Sequence, residues 1–321
     1  MGDTSPLQVR MEPFRYGKQG EKEMPAGEED HEMADQQYLD LLFRRAGAET
    51  FEQVVHLWNL WRQRHPGVHI DFSDEDLTGG DFTGIDFSHV DVRRAYLYDT
   101  CFKGADLRGA SLQEANLGLN GLENVDLRGA DLRGAILDGS MMWGAQLQGA
   151  NFAGASLNMI GLDGVNLSEV NLSGASLIGV SLERANLSRA NLQHALFYQP
   201  DPDWLTEDGG SPGDADLRGA NLSHANLDGA DLRMACLVGA NFSEASLREA
   251  RLSGANVNGV RPSRVPNPEQ RNFGPTTFRG ANLSGADLRG VDLTGVDLSE
   301  ATLTGALFDE PNQPETKDEP T

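Results

Sequence analysis

The stretch ADLRGASLQEANLGLNGLENVDLRGADLRG, residues 105–134, decides how the chain folds. A leucine stands at every fifth position, from Leu107 and Leu112 to Leu127 and Leu132, usually with a small apolar residue such as Ala105, Ala110 or Val125 two places before it. Asp, Asn or Ser usually falls between the two, and Gly often closes the unit. Working outward, a bulky apolar residue keeps this register without a slip from Phe72 to Phe197, through 26 consecutive units. The pattern resumes from Leu217 to Val257 for nine units and from Phe278 to Phe308 for seven.

A period of five fits neither common element. On an α-helix at ~100° per residue the leucines would step by ~140° and scatter around the axis, and on a flat strand successive leucines would alternate faces. Both would leave half of them in water. The period is satisfied when each pentapeptide is one side of a square coil, turning near the Gly, with the Leu and the Ala pointing inward. Four sides of five residues make one coil, and coils stack at the ~4.8 Å spacing of paired strands. Coils touch only their neighbours, so the ends need caps.

Units such as Ala-Asp-Leu-Arg-Gly at 105–109 and 130–134 and Ala-Asn-Leu-Ser-Gly at 281–285 resemble the pentapeptide-repeat family over about two thirds of the chain. The resemblance implies an all-β fold: a right-handed quadrilateral β-helix, or solenoid, of about ten coils with a small α-helical N-terminal cap. It says little about function.

The chain divides accordingly. Residues 1–33 are polar and read as a disordered tail. Residues 34–70 read as the helical cap, with one helix over Ala34 to Arg45 and a second from Thr50 to just before Pro66. The second carries a helically spaced stripe of Phe51, Val54, Val55, Trp58 and Trp61, which is expected to cover the open first coil. Residues 71–308 form the β-helix, interrupted at 199–213 and 259–276, where prolines such as Pro200, Pro212, Pro262 and Pro275 rule out regular repeats. Phe197 and Leu217 stand one whole coil length apart in sequence, and Val257 and Phe278 slightly more, so each interruption either stands in for a coil or protrudes from a corner. Residues 309–321 form an acidic tail that cannot make a capping helix. The last coil is then exposed, or it stacks on a second copy through Leu307 and Phe308, giving a homodimer.

The formal net charge of −23 disfavours direct contact with nucleic acid or anionic membrane and favours a basic partner. No segment approaches the ~18 apolar residues of a membrane span and the N-terminus lacks a secretory core, so a cytoplasmic location is expected. Cys101 and Cys236 fall several coils apart, too far to bridge. The seven His are dispersed, no set has metal-ligand spacing, and there is neither a phosphate loop nor a nucleophile with its base. No cofactor and no enzymatic activity are expected.

Outward positions should be polar or Gly, so outward apolar residues are informative. On the four-sided coil they gather on the face of Leu77, Leu97, Leu117, Leu137, Leu157, Leu177 and Phe197. That face carries Tyr96, Tyr98, Leu119, Ile136, Met159, Ile178, Leu196 and Tyr198, and the adjoining face adds Cys101, Met141 and Trp143. If the first interruption preserves register, Met234, Cys236 and Val238 extend the stripe. Residues 1–49 or the first loop, with Trp204 and Leu205, could cover it; otherwise it binds a partner. A second candidate is the acidic opening of Asp71, Asp74, Glu75, Asp76, Asp81, Asp86 and Asp91, which reads as a solvated end or as a site for a cation or a basic partner.

Two functions follow. One is a non-enzymatic protein-interaction scaffold acting through the apolar stripe and both loops. The other comes from the resemblance: some family members are similar to acidic rods that mimic DNA, bind type II topoisomerases such as gyrase, and protect them from quinolones or natural poisons. Residues 71–308 hold 32 acids and 17 bases over about 50 Å, at ~4.8 Å per coil. Duplex DNA of that length carries ~30 charges at one per ~1.7 Å, about twice the net 15 here. Residues 139–182 hold only Asp163 and Glu169, so the scaffold is the stronger reading.

Overall fold

The computed structural model describes residues 8–10, 51–198, 214–259 and 273–309. The described chain falls into two compact units that divide between Ser156 and Leu157. The expected first helix, Trp204, Leu205 and the acidic tail from residue 310 lie outside the described residues. Both units are built on one rule, that of an all-β solenoid.

In the first unit each residue before a buried leucine pairs in parallel with its counterpart four repeats on, as in Asp71 with Asp91, Asp76 with Tyr96, Asp81 with Cys101 and Asp86 with Asp106. These four ladders define four faces. The first is stacked on Phe72, Val92, Leu112, Leu132 and Phe152, and the second on Leu77, Leu97, Leu117 and Leu137. The third is stacked on Phe82, Phe102, Leu122 and Met142, and the fourth on Phe87, Leu107, Leu127 and Leu147. Almost all of these side chains are fully buried, as are most of the small residues two places before them.

Most corners close with a turn in which the amide three residues on donates back to the leucine carbonyl, as Ala110 N does to Leu107 O at 3.1 Å. The third residue of that turn has a left-handed backbone, with φ of 62° at Gly109 and 68° at Gly129. This is a type II turn, which explains the Gly at the end of the repeat. The Asp explains itself too: Asp106 Oδ1 accepts the Arg108 amide at 3.1 Å, and Asp71 Oδ1 accepts that of Ser73 at 2.9 Å. The expected corner role of these aspartates is therefore seen directly.

Before the first coil, β1 (Gln8–Arg10) pairs in parallel with β2 (His69–Asp71). This strand departs from the wholly disordered tail expected of residues 1–33. Between them in sequence lies α1 (Phe51–Arg64), a single helix among the described residues. Its Glu52 near the start and Arg62 and Arg64 in the last turn suit the helix dipole. It buries Val55, Trp58, Trp61 and Arg62 rather than the whole expected stripe; Phe51 is exposed and Val54 half-buried.

Trp58 packs against Phe72 and Phe87 at ring separations of 5.9 and 5.6 Å. Three side chains of α1 also occupy the backbone edge of the first coil's fourth face. Trp58 Nε1 donates to Asp86 O at 2.7 Å, Asn59 Nδ2 to Gly84 O at 2.9 Å, and Arg62 to Ser88 O at 2.6 Å, while Asn59 Oδ1 accepts the Asp86 amide at 2.8 Å. An unpaired strand edge is thereby satisfied by side chains. Burial lowers the Arg62 pKa, partly countered by Asp86 and Asp106.

The second unit shows what the two interruptions do. Across the first, Ser181 pairs with Asp216, Asn186 with Asn221 and Leu196 with Asp231, each pair spanning seven repeat lengths of sequence in place of four. Across the second, Asn241 pairs with Thr277 and Ser246 with Asn282, a similar span. The chain therefore leaves at the corner after Phe197, and again after Val257, and returns on the very next side. Neither interruption replaces a coil; each departs from a corner. Elsewhere in this unit Asn166, Asn186, Asn221 and Asn241 form a side-chain amide ladder at 3.0 to 3.2 Å. The last coil is less buried: Leu293, Leu298 and Leu303 are half-exposed, and Leu307 and Phe308 are exposed.

The corner rule is testable with two glycines of the first unit. A Cβ at Gly129 meets nothing within 4 Å, whereas one at Gly109 comes within 2.6 Å of the His89 ring. Gly129→Ala should cost about 1–2 kcal/mol for the left-handed backbone alone. Gly109→Ala should cost more in urea unfolding, and the excess should vanish in a His89→Ala background.

Candidate functional site

The first unit separates its charges by face. Its five coil arginines all lie on the first and fourth faces, and each makes an ion pair there: Arg93 with Asp91, Arg94 with Asp74, Arg108 with Asp106, Arg128 with Asp126 and Arg133 with Asp131, at 2.5 to 2.7 Å. Four of these are the Asp-Leu-Arg spacing within one side, as expected; Arg94 reaches Asp74 from one coil on. The hydrogen bond from Arg128 holds Asp126 below the ordinary carboxylate range, against the opposing effect of burial.

This bears on the acidic opening. Asp91 is buried in its ion pair with Arg93, and Asp74 is paired with Arg94, so two of the seven acids are neutralised by arginines from the same or the next coil. Asp71, Asp76, Asp81 and Asp86 accept the turn amides of Ser73, Thr78, Thr83 and Ser88. The Glu75 pKa is raised by burial and by the charges of Asp71 and Asp74. Among the described residues no group of His, Cys, Asp and Glu is arranged to hold a metal ion.

The second and third faces are different. Tyr96, Tyr98, Leu119 and Ile136 are exposed on the second, and Met141 and Trp143 on the third. Cys101 is half-buried on the third, with its Sγ 3.2 Å from Thr83 Oγ1. In the second unit the remaining predicted residues divide. Met159 and Leu196 are exposed. Ile178 is half-buried, and Tyr198 is half-buried with Arg233 stacked on its ring at 4.6 Å. Leu232 stacks beyond Phe197 and Leu237 beyond Leu217 on the Leu182 face. Met234 therefore belongs to the face of Phe197, but Cys236 and Val238 do not; the assumed register through the interruption was wrong. Cys236 is also buried, which raises its pKa to about 11. Both cysteines are free.

Three of the exposed apolar residues break a second rule. Leu119, Met159 and Met234 occupy the corner position that favours Gly, with φ of 57°, 56° and 61°, and are 52%, 54% and 41% exposed. A left-handed backbone costs an L-residue about 1–2 kcal/mol. Neither burial nor backbone preference accounts for an apolar side chain there, and residues held against both are drawn to functional sites.

Sequence reasoning missed two supports of these surfaces. Under the corner of Leu119, Thr100, Asn120 and Ser140 replace the usual Ala. Thr100 N donates to Asn120 Oδ1 at 2.8 Å, Asn120 N to Ser140 Oγ at 3.0 Å, and Ser140 Oγ to Leu117 O at 2.7 Å. Three non-Ala residues at the same position of successive coils were a visible signal. In the second unit Phe273, at the return of the second interruption, lies over Gly219 and Gly239 with Arg184 and Arg218 at 5.3 and 5.7 Å from its ring. Thr276 fixes this return: its Oγ1 accepts the Gly239 amide at 2.9 Å and lies 3.0 Å from Leu237 O. No repeat position marked Phe273.

Leu119→Gly relieves the backbone and removes a half-exposed side chain. It should raise the urea midpoint or leave it unchanged, whereas Leu117→Gly on the same side should unfold the unit, since a buried Leu→Ala alone costs about 2–5 kcal/mol.

Pentapeptide repeats are matched in eight copies, over residues 70–109, 93–118, 122–158, 162–199, 213–243, 234–261 and 273–309. Among solved structures, HetL, a pentapeptide repeat protein involved in heterocyst differentiation regulation from the cyanobacterium Nostoc sp. strain PCC 7120, is 31% identical. That likeness covers 78% of this chain and 95% of HetL, with a TM-score of 0.35. QnrB1, a plasmid-mediated fluoroquinolone resistance protein, is 19% identical over 75% of this chain and 92% of its own, with a TM-score of 0.24. Rfr23 from the cyanobacterium Cyanothece 51142 is 27% identical over 48% of this chain and 88% of its own, with a TM-score of 0.19. No curated protein matches. The eight matched copies, which run over most of residues 70–309, agree with the coil geometry: the chain belongs to the pentapeptide-repeat family.

Proposed function

We propose that this protein is a non-enzymatic scaffold, acting in the cytoplasm, that binds another protein through its outward apolar residues and the segments at 199–213 and 259–276. The observation that carries this reading is the coincidence at Leu119, Met159 and Met234 of exposure with a left-handed backbone. A fold that needed only stability would place Gly at all three. The finer architecture that goes with the proposal is a right-handed β-helix of about ten coils, capped by α1. Its last described coil, with Leu307 and Phe308 exposed, is suited to stack on a second copy.

The second reading is a DNA mimic that binds gyrase and protects it from quinolone-like poisons, and the net charge of −23 favours it. The arginine pairing weighs against it, because the acids of the first unit's first and fourth faces are largely neutralised where a phosphate mimic needs them free. Gyrase supercoiling with and without a quinolone separates the two.

The direct test replaces Tyr98, Trp143 and Met159 by Ser together. The expected result is an unchanged far-ultraviolet spectrum and urea midpoint with loss of the partner captured by the intact protein. Unfolding of the triple variant would show that these side chains serve the fold, and retention of the partner would place binding elsewhere.

A further inference from the structure

The first unit carries a second asymmetry besides its apolar residues. On the first and fourth faces Arg pairs with five of the eight acids; on the second and third, the outward charges are Asp76, Asp81, Asp99, Glu123 and Asp138 against the single base Lys103, with no Arg among them. The apolar residues thus share two faces with acids that have no arginine beside them, and all five arginine ion pairs lie on the other two. We propose that the second and third faces of the first unit dock a cationic amphipathic helix of a partner protein, laid parallel to the axis on which the coils stack. The proposal deepens the scaffold reading and rests on it.

Three observations specify the occupant. Charge complementarity calls for Lys or Arg around an apolar stripe, because Asp99 is exposed at the corner beside Tyr98, and Glu123 lies on the third face one coil below Trp143. Geometry favours a helix over an extended segment. Coils repeat at ~4.8 Å, close to the ~5.4 Å pitch of a helix, so one turn meets one coil, whereas same-side residues of a strand are ~6.7 Å apart. The anchors follow that spacing, with Tyr96 and Tyr98 on one coil, Leu119 on the next and Ile136 on the one after.

The surface between them is also low. Gly118 and Gly121 stand where the neighbouring coils carry Tyr98 and Met141. A Cβ at Gly118 would come 3.2 Å from the Tyr98 ring, and one at Gly121 would come 3.1 Å from the Glu123 carboxylate. The ring and the carboxylate therefore border the position where a Lys or Arg stem would lie, with apolar surface for its methylenes and an acid for its head.

The test uses the full chain and three fluorescein-labelled helical peptides of about 14 residues, long enough to span about 21 Å. All three have Leu at i, i+3, i+4 and i+7, with Lys, Gln or Glu at the flanking positions. Fluorescence anisotropy should show the Lys peptide binding most tightly and Tyr98→Ser with Ile136→Ser weakening it about tenfold. Asp99→Asn with Glu123→Gln should weaken it about fivefold, the scale of two exposed ion pairs.

Gln146→Lys with Gln148→Lys, on the fourth face, makes the same change in net charge and should leave binding unchanged. Equal weakening by both charge variants would reduce the effect to long-range attraction and overturn the proposal. Equal binding of the three peptides, still lost in the Ser variant, would overturn the cationic helix while the apolar surface stands. No binding of any peptide would overturn the docking proposal, with the triple Ser variant still left to judge the scaffold reading.

Discussion

The backbone hydrogen bond between one coil and the next is the constraint on which everything else depends. Leu107 N donates to Asp126 O and Asp126 N to Ala105 O, and the same exchange recurs on every side of the first unit. Because the bonding is parallel and in register, each residue's surroundings are set by those one coil before and after it. Leu and Ala must face inward, Asp must serve the turn, and the corner must accept a left-handed backbone. What remains free is one or two outward side chains per side, and these carry whatever is specific to this protein.

That freedom is used unevenly. In the first unit, ion pairs of Asp with Arg occupy two faces, while aromatic, aliphatic and arginine-free acidic residues occupy the other two. Surface ion pairs of this kind contribute little to stability, so their arrangement is better read as a division between an inert and an interactive side. The corner residues say the same in another way. His89 and Glu114 fold over the glycine one coil on, at Gly109 and Gly134, and so does Leu119 over Gly139. The glycine gives room to the left-handed side chain below it, and in Leu119 that room is given to an apolar group exposed to solvent.

The coil was legible in the sequence because a five-residue period leaves no other way to bury every leucine, and the inward roles of Ala and Leu and the turn role of Asp followed. The register across the interruptions was not. A break close to one coil in length keeps the repeat phase without saying on which of four sides the chain returns. Only the pairing of Ser181 with Asp216 and of Asn241 with Thr277 decides it. That error moved Cys236 and Val238 to the wrong face. Neutralisation of Asp74 was hidden because its partner Arg94 lies a full coil further along the chain, and the cover of Tyr198 because Arg233 lies beyond an interruption. Phe51 had helical spacing but sits at the first residue of α1, about two turns from Trp58, and is exposed.

The coil ladder of the second unit passes both interruptions without losing a side, and on this depends the assignment of outward positions to faces. Native-state hydrogen exchange at the amides of Leu182, Phe197, Phe242 and Leu252 tests it directly, since these donate across the interruptions to Asp216, Asp231, Thr277 and Asp287. Their protection should equal that of Leu222, which donates to Asn241 within the uninterrupted stretch. Fast exchange at those four amides beside a protected Leu222 would contradict it.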